Sequence, residues 1–266
     1  MFLGFFKKEP EPKGGNDLPR IFVSLKYHTL MEGQIKSLYD KIHALNKTGL
    51  LIGLQPYCTN SWVKQKEYLK EFNDIPVMLN VMSSDSLGEE DCLTKKLTID
   101  QIKEAINVCN VKYLRFHEIM SYHEGKGIDF PLEYVKDVLA FSLERKIPVF
   151  WNEWDSTKYS KIKEIISDNV IVSFATNNEY MEPAEGYKLI KKFRHKGASV
   201  QSWYWWERNG RKAGYEKFMP SMLMRQHTSE AITVGCEIIQ YEPMYYFIDE
   251  DWNPKNTMQE ILKERF

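Results

Sequence analysis

The chain has 266 residues, 43% hydrophobic and 27% charged, with 36 basic against 37 acidic side chains and a net charge of −1. That length suits one large domain, and an α/β barrel typically takes about 250 residues. The balanced charge supplies no bulk attraction to nucleic acid or to an anionic membrane, and no apolar run approaches the ~20 residues of a membrane-spanning helix.

The start, Met1-Phe2-Leu3-Gly4-Phe5-Phe6-Lys7-Lys8, places apolar before basic residues, the reverse of a secretory signal, and runs into Glu9-Pro10-Glu11-Pro12. Residues 1–18 are expected to form a flexible leader and 19–266 a catalytic barrel, in the cytoplasm or released with a larger assembly. After Lys13-Gly14-Gly15-Asn16 one pattern recurs: a short apolar strand, a polar loop, an amphipathic helix. Strands are predicted at 20–28, 50–57, 75–82, 111–118, 147–153, 170–176, 198–206 and 236–242. Each is a short β-branched or aromatic run, as expected of strands covered on both faces.

Between the strands the apolar spacing becomes helical. Ile35, Leu38, Ile42 and Leu45 share one face, as do Ile99, Ile102 and Ile106, and Val135, Val138 and Leu139. Thr98 and Ser156 read as N-caps. Gly49, Gly197 and Gly235 stand just before strands, where glycine closes a helix in the left-handed conformation. Cys58, Cys92, Cys109 and Cys236 form no CxxC pair and read as reduced, structural thiols. The basic run Lys191-Lys192-Phe193-Arg194-His195-Lys196 reads as a solvated helix end.

Eight strand–helix units predict an α/β fold, a single (β/α)8 TIM barrel, with a last helix near 256–264. A doubly wound open sheet would normally carry a glycine-rich phosphate turn after its first strand, and Lys26-Tyr27-His28-Thr29-Leu30 is not one.

Barrel active sites lie at the C-terminal strand ends, and alternate residues face inward. Alternation directs Lys26 and His28 inward on strand one, Gln55 on strand two, Asn80 on strand three, and Tyr113, Arg115 and His117 on strand four with Glu118 just beyond. It groups Val149, Trp151, Glu153 and Asp155 on strand five, Ser199, Gln201, Trp203, Trp205 and Glu207 on strand seven, and Ile238, Gln240 and Glu242 on strand eight. Any one of these charges fits a structural ion pair. Desolvating the whole ring is costly unless a function retains it. Indole faces beside carboxylates suit pyranose C–H faces and hydroxyls, so a carbohydrate substrate is expected, with no cofactor and no metal.

Phe150-Trp151-Asn152-Glu153-Trp154-Asp155 resembles the Asn-Glu strand end that carries the acid/base in clan-A barrel glycosidases. Trp203-Tyr204-Trp205-Trp206-Glu207 resembles the strand-seven end that carries the nucleophile there. In that clan the Asn-Glu pair ends strand four, whereas here it ends the fifth predicted strand and His117-Glu118 ends the fourth. Tyr241-Glu242-Pro243 is similar to the paired base of inverting family 98 glycosidases. The resemblance implies a glycoside hydrolase using two carboxyls, with Glu153 as general acid, Glu207 and Glu242 on the base or nucleophile side, and Glu118 in reserve as acid. Lys26, His28, Gln55, Asn80, Arg115, His117, Glu118, Trp203 and Trp205 would bind the sugar.

Two other readings stay open. One is a metal-dependent barrel hydrolase: Lys26-Tyr27-His28 sits where amidohydrolases place a His-x-His pair and lacks the first histidine, but His28 and His117 with several carboxylates suit a hard cation. A glycan-binding barrel without catalysis would need the aromatics alone.

Overall fold

The computed structural model describes residues 21–25, 40, 52–56, 62–71, 73–83, 96–153, 155–174, 183–201, 207–208, 211–212 and 221–242. The leader, Gly49, the face formed by Ile35, Leu38, Ile42 and Leu45, and the expected last helix lie outside them.

The short apolar runs pair in parallel, and each is followed by a chain segment long enough to return over the sheet. The strands are β1 Ile21–Leu25, β2 Ile52–Pro56, β3 Val77–Ser83, β4 Val111–His117, β5 Val149–Glu153, β6 Val170–Phe174, β7 Gly197–Gln201 and β8 Ile238–Glu242. Their spatial order is β6-β5-β4-β3-β2-β1-β8-β7. A parallel bridge between Val172 and Lys196 joins β6 to the start of β7 and closes the ring. The chain is therefore a (β/α)8 barrel, and closure removes the unpaired strand edges an open sheet would leave. The helices described around it are α1 Trp62–Glu71, α2 Ile99–Val108, α3 Ile119–Lys126, α4 Leu132–Arg145, α5 Tyr159–Ile165, α6 Pro183–Ile190 and α7 Ser221–Thr233.

Local chemistry sets the helix ends. Thr98 and Gln101 form a reciprocal capping box at the start of α2 (3.2 and 2.8 Å), satisfying amides that have no partner within the helix. The α2 face buries Ile102 completely, with Ile99 and Ile106 packed beside the core. On α4 the buried stripe is Val135, Val138, Leu139 and Phe141. The N-cap position of α5 falls on Lys158 rather than on the expected Ser156, after a 3-10 turn over Ser156–Lys158 at whose start Asp155 Oδ1 accepts from the Thr157 amide at 2.9 Å. Gly235 closes α7 at φ 78°, as its position predicts.

Gly197 has a different reason for being glycine. It is the first residue of β7 rather than a turn residue. A methyl group there would overlap the Phe150 ring and press on Ile171. Phe150 belongs to a buried set of Met78, Tyr113, Phe150, Ile171 and Ile238 drawn from β3, β4, β5, β6 and β8. This set plugs the lower lumen, and the missing side chain at Gly197 is what admits the Phe150 ring. The larger core lies between barrel and helices and includes Leu79, Phe116, Val149, Trp151, Val172 and Val200.

Those two clusters decide which face each strand turns inward. On β4 the expected set holds, with Tyr113 in the lumen and Phe116 outside. On β5 it is reversed: Phe150 faces the lumen, while Val149 and Trp151 pack outward. Trp151 meets the Phe116 ring edge-on at 5.3 Å and stacks on Phe130 at 6.3 Å. The bulk of an indole suits the wide layer between barrel and helices better than a lumen already filled by Phe150 and Tyr113.

Two substitutions test this packing. Gly197→Ala should lower the urea midpoint by the equivalent of about 1–3 kcal/mol, the usual cost of overpacking. A wild-type midpoint would remove Phe150 from that space. His227 on α7 is buried, and burial lowers its pKa. Among the described residues its Nδ1 meets no hydrogen-bond partner. Such a histidine is neutral when folded and gains a proton on unfolding, so stability should fall as pH drops through the ordinary 6.5 toward the depressed folded value. Unfolding curves at a series of pH values should show that slope flattened in His227→Leu.

Candidate active site

Above the apolar plug the lumen becomes polar. Arg115 on β4 is fully buried. Its guanidinium donates to Asn80 Oδ1 on β3 (3.2 Å), Asn152 Oδ1 on β5 (3.0 Å) and Gln240 Oε1 on β8 (2.9 Å). Ser199 on β7 reaches Gln240 Oε1 at 3.5 Å. A bulge between Asn80 and Met82 keeps Asn80 opposite Arg115 and Ser83 opposite His117. Barrel geometry brings these side chains into one layer, since Asn80, Arg115, Asn152 and Gln240 each lie two residues above a member of the plug and Ser199 lies two above Gly197.

The next layer is the rim. His117, the last residue of β4, is buried, with Nδ1 2.7 Å from Asn152 Oδ1. Glu118 follows in the left-handed conformation at φ 54° and ψ 26°. A non-glycine residue there stores of order 1 kcal/mol of strain. The conformation turns the chain from strand straight into α3. The Glu118 carboxyl stands at the barrel mouth, 17% exposed, with Oε2 3.7 Å from His117 Nε2.

A residue in that conformation does not cap α3 with its own side chain. Glu153 takes the task from β5. Its Oε1 accepts from the Met120 amide (2.9 Å) and Trp151 Nε1 (2.9 Å), and its Oε2 from the Ser121 amide (3.0 Å) and Ser121 Oγ (2.5 Å). Both amides are in the first turn of α3, where a carboxyl satisfies orphan donors and opposes the helix dipole. Burial pushes the Glu153 carboxyl above its ordinary range, and the Ser121 and Trp151 side chains and the Met120 and Ser121 amides pull it back. Glu153 therefore stands on the outer face of β5, reversing the inward direction read from alternation, and it does not meet the lumen set.

The other expected site residues divide by position. Asn80, Arg115, His117 and Glu118 come together, joined by Asn152, Gln240 and Ser199. Strand alternation alone assigns Asn152 no role, and its signal in the sequence is the polar Arg115–Asn152 pairing possible across β4 and β5. Gln55 is a register partner of Ser24, and Glu242 of Gln201. Glu207 opens a two-residue antiparallel ladder opposite Lys212. Lys26, His28, Trp203 and Trp205 lie outside the described residues. Buried Cys109 and half-buried Cys236 have their thiols pushed up to about 12 by desolvation, which makes them poor nucleophiles.

No protein-family model matches the sequence, and no curated protein matches it. Among solved structures the chain is similar to a β-glucanase from Saccharophagus degradans in complex with cellotetraose, with TM-score 0.55, 12% identity, and 92% of this chain and 86% of that one covered. The native form of that enzyme gives 0.55 at 13% identity, covering 90% and 85%. Triosephosphate isomerase from Bartonella henselae gives 0.51 at 9% identity, covering 92% and 100%. These likenesses are of fold: all share the barrel.

Glu153→Gln replaces an acceptor oxygen with an NH2 group facing amide donors. It should cost about 1–3 kcal/mol of stability. Because burial raises this carboxyl, the wild type loses stability as pH rises from the ordinary carboxylate range through the raised value. The deficit of Glu153→Gln should therefore be largest in acid and narrow toward neutrality, read from urea midpoints at several pH values. Equal stability at every pH would mean the cap contributes nothing.

Proposed function

We propose that this chain is a glycoside hydrolase acting on an oligo- or polysaccharide at the C-terminal mouth of the barrel. The observation that carries the reading is Glu118, a carboxyl held at the rim by a strained backbone, directly above a buried polar lumen. Strain of that kind persists where surrounding structure enforces it, and it clusters at functional sites. A β-glucanase crystallised with cellotetraose is built on a similar barrel, which is support by analogy of fold.

In this reading Glu118 protonates the leaving glycosidic oxygen, the task first expected of Glu153, whose carboxyl is engaged with α3. The opposing carboxylate is Glu207, which follows β7 in the chain, or Glu242, which ends β8. It acts either as nucleophile or as base for water. Trp203 and Trp205 offer flat apolar faces to the sugar rings, and Lys26, His28 and Gln55 bind hydroxyls or an acidic substituent. The distance between the two carboxyls sets the stereochemistry: about 5 Å for retention and roughly 6.5–9.5 Å for inversion.

A panel of polysaccharides and labelled oligosaccharides, with products separated by chromatography, tests the proposal. On a cleaved glycan, Glu118→Gln should lower kcat by about 10²–10⁴-fold, the scale of general acid catalysis, while the folded protein keeps its thermal stability. Full activity in Glu118→Gln would move the acid elsewhere. No cleavage of any glycan by the wild type would overturn the hydrolase reading itself.

A further inference from the structure

The polar contacts around His117 settle which of its nitrogens carries hydrogen. Arg115 has only donors, so the atom of Asn152 lying 3.0 Å from its guanidinium is the amide oxygen. That same oxygen lies 2.7 Å from His117 Nδ1. An oxygen facing a ring nitrogen at this distance requires the nitrogen to donate, so Nδ1 bears the proton. In the neutral ring Nε2 is then a bare acceptor, and it is Nε2 that faces Glu118 Oε2 at 3.7 Å. The gap is one small rotation of a rim carboxyl from hydrogen-bond contact, and such contacts commonly tighten only when substrate is bound.

We propose that Asn152 is a positioning residue: it holds His117 as the Nδ1–H tautomer and so presents an unprotonated Nε2 to the Glu118 carboxyl. The inference rests on the reading of Glu118 as the acid. With the mouth empty, His117 Nε2 accepts the O–H of protonated Glu118, and a leaving oxygen seated in the mouth takes that hydrogen bond over. When Glu118 gives the proton to the leaving oxygen it becomes a carboxylate. The water that completes hydrolysis adds its oxygen to the anomeric carbon and gives its proton to Glu118 where the opposing carboxylate is the nucleophile, or to that carboxylate where it is the base. The described charged groups around the ring are Arg115, one layer below and joined through the same amide oxygen, and Glu118 above. Glu153 follows Asn152 on β5 but faces away, toward α3.

The chain has six histidines, and 15N labelling of their rings with NMR reads the tautomer directly, the His117 signals being assigned from their loss in His117→Gln. Wild-type protein above neutral pH should show His117 with Nδ1 protonated and Nε2 bare, the opposite of the tautomer a free imidazole side chain favours. Asn152→Leu should return the ring to the Nε2–H form and lower kcat about tenfold or more with little change in KM, because an Nε2–H no longer accepts from Glu118. Asn152→Asp keeps an acceptor at Nδ1 and should keep the Nδ1–H tautomer, which covers the case in which Asn152→Leu fails to fold. An Nε2–H ring in the wild type, or in Asn152→Asp, overturns the proposal. An Nδ1–H ring in a protein that cleaves no glycan supports the positioning by Asn152 and overturns the hydrolase reading, so the two failures are distinguishable.

Discussion

A guanidinium enclosed in a closed barrel is the constraint around which the upper half of this structure is arranged. Arg115 is fully buried, and leaving such a charge without hydrogen-bond partners would cost several kcal/mol. The barrel answers with amide oxygens from β3, β5 and β8, so one side chain ties together strands far apart in sequence. Its position also divides the lumen. Below it Met78, Tyr113, Phe150, Ile171 and Ile238 fill the lumen, and above it His117 meets the Asn152 oxygen that Arg115 binds. The Asn152 oxygen is the clearest case, since the demand of Arg115 for an acceptor decides what His117 meets.

The junction between β4 and α3 shows two glutamates separated by backbone geometry rather than by chemistry. Glu118 occupies a left-handed conformation and so does not cap the helix it precedes. Its carboxyl is left at the mouth beside His117. Glu153 fills the vacated capping role from the neighbouring strand, giving up access to the lumen in exchange for four donors. The far end of α3 is held as well, by a 2.6 Å ion pair between Glu124 and Lys158 ahead of α5. Glu118 thus immediately precedes a helix held at both ends.

Much of this was legible in the amino-acid order. Short β-branched runs separated by helical periodicity are enough to name the barrel, because a strand covered on both faces and a one-sided helix have few other ways to bury their apolar surface. Thr98 with Gln101, the Ile102 face of α2 and the positive φ of Gly235 follow from local rules that need no distant partner. The polar stripe of β4 was also visible, since alternation there is regular.

At β5 alternation points to the wrong face, and the reason is physical. In Val149-Phe150-Trp151-Asn152-Glu153 both parities hold large aromatics and both hold a polar residue, so alternation alone does not say which face is the lumen. The decision comes from volume: Phe150 fits the space left by the missing side chain of Gly197 on β7, and Trp151 fits between Phe116 and Phe130 outside the barrel. Those partners are tens of residues away, and so are the α3 amides that claim Glu153. The order of residues determined that a barrel forms and which residue types line its strands. Only the tertiary structure decided that Glu118 rather than Glu153 stands beside the lumen, because that depends on how distant side chains share a fixed interior volume.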